Sequence, residues 1–173
     1  MLPRRAGIAT RDEFLEGLSD QIEAVQNTPG RLVTPVNMSS YDTWIKQYRP
    51  DENTANTSVN YYPKGAVIAF LLDAKIRKTS NDARTLDTGM QWAMQRYSGE
   101  KGYTPRQFYD VMSEAAGSDL KGWFATAAES TDELDYSEAL DFFELRFRPV
   151  DTRTARAFIG GGTRNDAGRL VIT

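Results

Sequence analysis

Between Tyr62 and about Lys78 the sequence reads as one helix, and its middle, Ala66-Val67-Ile68-Ala69-Phe70-Leu71-Leu72, is apolar around its whole circumference. Such a helix has no face to offer water and must be enclosed by other elements. The rest of the chain therefore has to supply a shell. With 173 residues, surface scaling allows roughly 70% of the unfolded surface to be buried, enough for a core that needs no disulfide. The expected fold class is mainly α, built around this central helix.

The shell is legible as amphipathic helices. Thr10 followed by Glu13 is a capping box, and Phe14, Leu18, Ile22 and Val25 then follow at helical spacing. Pro29 and Gly30 break that ladder. Leu86, Met90, Ala93, Met94 and Tyr97 give a second stripe, and Phe108, Val111, Met112, Ala115 and Ala116 a third. The third has Thr104 as N-cap, Pro105 in the first turn, Gln107 closing the box and Gly117 at its end. Leu120, Trp123, Phe124, Ala127 and Ala128 share one face of a fourth.

Residues 31–60 read mostly as loop, with a short helix expected around Tyr41 to Tyr48 and a polar stretch from Arg49 to Ser58. A loop of that length inside a domain is often functional. Beyond the acidic segment Asp132 to Glu144 the pattern changes. Leu145-Arg146-Phe147-Arg148 alternates, Pro149 to Arg156 reads as a polar linker, and residues 157–173 fit two short strands about a turn. Two strands make no independent domain, so an incomplete β segment, cut off by truncation, is the expectation at the C-terminus. Self-association through such open edges is the partner interaction they allow.

Function classes fall away by subtraction. The chain has no His and no Cys, so it lacks the commonest transition-metal ligands and the usual neutral-pH acid/base. A net charge of −3 with mixed signs carries no basic footprint for nucleic acid. The longest apolar run, Ala66 to Leu72, is far below the ~18 residues of a membrane span, and Met1 to Arg5 holds no signal-peptide core. A soluble chain is expected, with no compartment indicated.

Several local features invite a site and are better read otherwise. The carboxylates Asp132, Glu133, Asp135, Glu138, Asp141 and Glu144 lack the spacing of a calcium loop and read as a solvated acidic face. Gly160-Gly161-Gly162 has no following P-loop Lys and reads as a turn. Met90, Trp92 and Met94 resemble a recognition face, although Met90 and Met94 fall on the expected core stripe. Tyr61 and Tyr62, at the mouth of the central helix, read on periodicity alone as structural tyrosines.

The segments Trp44-Ile45-Lys46-Gln47-Tyr48-Arg49-Pro50-Asp51-Glu52-Asn53 and Tyr61-Tyr62-Pro63-Lys64-Gly65-Ala66 resemble the glycyl aminopeptidase family of gluzincin, thermolysin-like zinc metallopeptidases. Arg5-Ala6-Gly7-Ile8, Gln26-Asn27-Thr28-Pro29-Gly30-Arg31, Asp119-Leu120-Lys121-Gly122-Trp123-Phe124 and Glu133-Leu134-Asp135-Tyr136 agree in order. The resemblance runs over about residues 4–150. It implies that residues 1–150 are the helical C-terminal part of a peptidase catalytic domain, and that residues 151–173 are a linker and the truncated start of a PDZ domain. The family's H-E-x-x-H helix and third ligand Glu would lie upstream. No metal ligand and no cofactor is therefore expected in this chain, whereas zinc is expected in the full-length parent.

The resemblance carries over one catalytic role. Related aminopeptidases place a tyrosine two residues before the Lys of a Tyr-x-Lys-Gly motif, where its hydroxyl hydrogen-bonds the oxyanion. Tyr62 matches this position, with Tyr61 one residue away as the runner-up. A phenol with pKa near 10 stays a neutral donor at neutral pH. The implied function is hydrolysis of N-terminal small residues from peptide substrates by the parent metallo-aminopeptidase. This piece would supply the transition-state tyrosine and one wall of the cleft, and would be inactive alone. A non-catalytic helical interaction module, or a pseudo-peptidase that has lost its zinc site, is the alternative from another class.

Overall fold

The computed structural model describes residue 4, residues 6–148 and residues 163–172. Helix α1 (Arg11–Gln26) begins at the expected box: the Glu13 N–H donates to Thr10 Oγ1, and the Glu13 carboxylate accepts the Thr10 N–H at 2.8 Å. A 3₁₀ turn (Pro29–Leu32) leads into α2 (Val36–Tyr41) and a single turn, α3 (Thr54–Thr57). The central helix α4 (Tyr61–Thr79) is followed by α5 (Leu86–Tyr97), α6 (Pro105–Ala116), α7 (Lys121–Glu129) and α8 (Ser137–Phe142). The protein is mainly helical, as its periodicities require.

Helix α4 is the spine. It packs against α1, α2, α5, α6 and α8, and its residues belong to both halves of the core. Val67, Ile68, Phe70, Leu71 and Ala74 pack with Val25, Val36, Ala127, Leu134 and Ala139. On the other side, Leu72 and Ile76 pack with Met112, Ala115, Ala116, Leu120 and Phe124. Each fully buried large side chain here, such as Ile76 or Met112, contributes roughly 1.5–3 kcal/mol.

Two charged residues of this helix are buried, Lys64 and Asp73. Asp73 is buried and accepts from Arg77 Nε at 2.9 Å and from the Leu86 N–H at 2.8 Å. It thereby satisfies a donor at the start of α5 that the helix itself leaves unpaired. Helix α6 ends as expected on Gly117, at φ +70, a left-handed conformation that costs glycine little.

Three expectations are corrected. The short helix lies at Val36–Tyr41, not around Tyr41 to Tyr48. Pro35 sets an extended entry at ψ 156, Val36 is buried as the anchor, and from Asp42 onward the chain forms turns, the Tyr48 N–H reaching back to Thr43 O. The phase of α5 also differs: Met90 and Met94 are exposed, while Gly89 and Ala93 are buried. The small residues let α5 approach α6 closely enough that a methyl group on Gly89 would meet Met112. Finally, the acidic segment is more than a solvated face. Glu133 pairs with Arg31 at 2.7 Å, and Glu138 pairs with Lys75 at 2.8 Å and Lys78 at 3.3 Å.

The alternation Leu145 to Arg148 forms no strand. The chain turns at Glu144, with φ 54, and the Leu145 N–H bonds back to Leu140 O. Strands β1 (Thr163–Asp166) and β2 (Arg169–Ile172) pair antiparallel about Ala167-Gly168, with Asp166 opposite Arg169. The expected linker Pro149 to Arg156, the Gly160 to Gly162 turn, the rest of residues 157–162 and the division at residue 150 lie outside the described residues. Among the described residues no helix is long and apolar enough to cross a membrane.

Candidate functional site

The first turn of α4 is held from several directions. Asn60 is its N-cap, with Oδ1 accepting the Tyr62 N–H at 2.9 Å. Before it, Ser58 and Val59 are buried. The 3₁₀ turn lies directly against Ser58, where a side chain on Gly30 would overlap the Ser58 backbone. Thr34 Oγ1 donates to Thr57 O at 2.6 Å, and the Ser39 and Ser58 hydroxyls lie 3.3 Å apart. The start of α4 is therefore a fixed platform.

Successive residues on a helix point about 100° apart, and this separates the two tyrosines. Tyr61 turns inward and packs against the core, whereas Tyr62 is 61% exposed. Their ring centroids lie 4.2 Å apart. A third phenol reaches the same place from the turns after α2: Tyr48 Oη lies 3.5 Å from Tyr62 Oη. The Tyr48 ring in turn packs on Trp44, with centroids 5.0 Å apart.

The hydroxyls influence one another's acidity. Hydrogen bonding to Tyr48, and then to Tyr61, pulls the Tyr62 phenol below its ordinary value of 10. The same contacts, Tyr62 first, push Tyr48 up. Either hydroxyl can be the donor across this 3.5 Å contact. Two residues beyond Tyr62, Lys64 is buried, only 2% exposed. Desolvation lowers its pKa, and the nearby Glu133 carboxylate, itself bonded to Arg31, partly opposes that shift.

The burial of Lys64 and the approach of Tyr48 were not read from the sequence. For Lys64 a signal existed: Lys64, Ile68 and Leu71 lie on one i, i+4, i+7 stripe, the buried one. For Tyr48 there was none. Two grooves, of about 660 and 240 Å³, lie along α1. Neither is lined by Tyr61 or Tyr62, and Tyr62 is exposed.

Chemically, the arrangement offers a neutral hydrogen-bond donor on a rigid helix end. The sequence has no His or Cys, and among the described residues no group of three or more acidic side chains is placed to hold a metal ion. A zinc ion implied by the resemblance does not fit the side chains present here.

The helical core and tyrosine cluster define a unit that presents phenol donors from the end of a buried helix. Residues 1–68, which include Tyr48, Tyr61 and Tyr62, match the family model of the M61 glycyl aminopeptidases. The match relates this part of the chain to aminopeptidases, a class of hydrolases. No curated protein and no solved structure matches the chain significantly.

Proposed function

We propose that this chain is the C-terminal part of a glycyl-aminopeptidase-like catalytic domain, followed by the start of a PDZ domain, and that Tyr62 stabilises the oxyanion during cleavage of N-terminal small residues from peptides. The observation that carries this reading is the divergence of the two tyrosines. Tyr62 presents an exposed hydroxyl at the capped start of α4, while Tyr61 is committed to packing. In addition, the family match spans this position.

The step assigned to this chain is modest and specific. As a nucleophile adds to the scissile carbonyl, charge gathers on the carbonyl oxygen, and the Tyr62 O–H donates a hydrogen bond to it. A donor whose acidity is raised by its neighbours gives a stronger bond to the anion than to the neutral carbonyl. That difference accelerates the reaction. The ligands of the metal that the family uses are supplied from outside residues 1–173, so the chain by itself is inactive.

In the full-length enzyme, Tyr62→Phe is expected to lower kcat by about 10² to 10³ with little change in KM, the loss typical of removing one oxyanion donor. Tyr61→Phe is the matched control. Full kcat in Tyr62→Phe together with loss in Tyr61→Phe would move the role by one residue, and full kcat in both would remove it.

A further inference from the structure

We infer that Trp44 and Tyr48 form the wall that holds the peptide residue following the cleaved bond, and that this wall favours an apolar or aromatic side chain there, an assignment that rests on the role proposed for Tyr62. The three rings make one edge in a fixed order. Tyr48 Oη lies 3.5 Å from Tyr62 Oη, and the Tyr48 ring packs on Trp44 with centroids 5.0 Å apart. Trp44, at the end of the edge away from Tyr62, is 75% exposed. Scattered exposed apolar residues are ordinary, but connected exposed rings mark a surface that binds something.

The backbone builds this exposure in. Thr43 is buried, and its carbonyl accepts the Gln47 and Tyr48 N–H groups at 2.9 and 3.0 Å. The Asp42 carbonyl accepts those of Ile45 and Lys46 at 2.9 and 3.0 Å, and the Asp42 and Lys46 side chains pair at 3.2 Å. Turning Trp44 inward would break these bonds, so its ring stays presented to the outside. A surface fixed before binding loses little freedom when a ligand arrives.

Reach selects the occupant. The proposed chemistry puts the scissile carbonyl oxygen at Tyr62 Oη, and in an aminopeptidase substrate only one residue lies on the N-terminal side of the cleaved bond. A small residue such as glycine has no side chain to lay on a ring. An extended peptide advances roughly 3.3 Å per residue, so the residue after the bond comes within side-chain reach of Tyr48 and Trp44. Binding energy that the first residue lacks is then drawn from the second. A second copy of this chain is the poorer occupant, because three side chains fall far short of the roughly 20–30 residues a side that a stable protein interface engages.

The test compares Gly-Phe amide with Gly-Ala amide as substrates of the full-length enzyme. The unaltered enzyme is expected to show the higher kcat/KM on Gly-Phe amide. Trp44→Ala is expected to lower kcat/KM on Gly-Phe amide about 3- to 10-fold more than on Gly-Ala amide, the worth of one aromatic pair, and Trp44→Phe should keep most of the preference. Equal losses on the two peptides, or none, overturn the inference; equal losses with a lowered Tm mean that the rest of the enzyme covers the edge. Sedimentation of this chain tests the remaining occupant: a dimer that Trp44→Ala converts to monomer overturns the inference in favour of a second copy. Tyr62→Phe keeps the two readings apart, since it should lower kcat on both peptides and leave their ratio unchanged. A selective loss in Trp44→Ala beside full kcat in Tyr62→Phe supports the wall and overturns the oxyanion role.

Discussion

Replacing Asp73 with alanine tests whether the buried carboxylate ties α4 to α5. The Asp73 side chain is 1% exposed and has Arg77 Nε at 2.9 Å and the Leu86 N–H at 2.8 Å. Asp73→Ala removes both bonds. Breaking a buried ion pair typically costs about 3–5 kcal/mol, and an orphaned buried donor about 1–3 kcal/mol. Arg77 keeps a second partner, Asp82 at 2.7 Å, and is 23% exposed, so its loss belongs at the low end. A total of about 4–6 kcal/mol follows, a large share of the roughly 5–15 kcal/mol that holds a domain together. For a chain of this size that lowers Tm by about 8–24 °C. Urea unfolding followed by far-UV circular dichroism measures it, with Asp73→Asn as the companion: its Oδ1 can still accept from Leu86, so it should lose clearly less. A cost below about 1 kcal/mol for Asp73→Ala, or equal costs for the two variants, would refute the argument.

Asn60→Ala should destabilise by about 0.5–2 kcal/mol through loss of the N-cap, and in the full-length enzyme should lower kcat as the first turn of α4 frays; unaltered unfolding midpoints would count against the cap. Acid should weaken the fold through carboxylates held below their ordinary values. Glu114 is held down by hydrogen bonding to Arg96, and Glu138, although burial pushes it up, is brought lower overall by Lys75 and then Lys78. With folded values below unfolded ones, their stabilisation is present above the ordinary glutamate value of 4.5 and is lost as pH falls through that value and on through the folded one. Urea midpoints between pH 7 and pH 3 should show a plateau and then a decline. Metal analysis after dialysis should find no stoichiometric zinc in this chain, and one tightly held zinc per chain would overturn the assignment of the ligands to another segment.

Much of the helical frame is local information. The all-round apolar run Ala66 to Leu72, the boxes Thr10 with Glu13 and Thr104 with Gln107, and the end at Gly117 each act within a few residues of themselves. Reading residue types at helical spacing is therefore enough to find them. The exposed Tyr62 beside the inward Tyr61 is local in part, because the capped start of α4 sets where the rotation begins. What faced what was not legible. The inward phase of Gly89 and Ala93 over Met90 and Met94 depends on how closely α5 can approach Met112, a matter of volume rather than hydrophobicity. The pairing of Arg31 with Glu133, 102 residues apart, and of Tyr48 with Tyr62 exists only after the loops have closed. By itself the sequence determined the long helices and their capped ends, though not the short helix Val36–Tyr41, because caps and periodicity work through bonds within one or two turns. Only the tertiary structure decided which side chains meet, because that depends on the packing of surfaces distant along the chain.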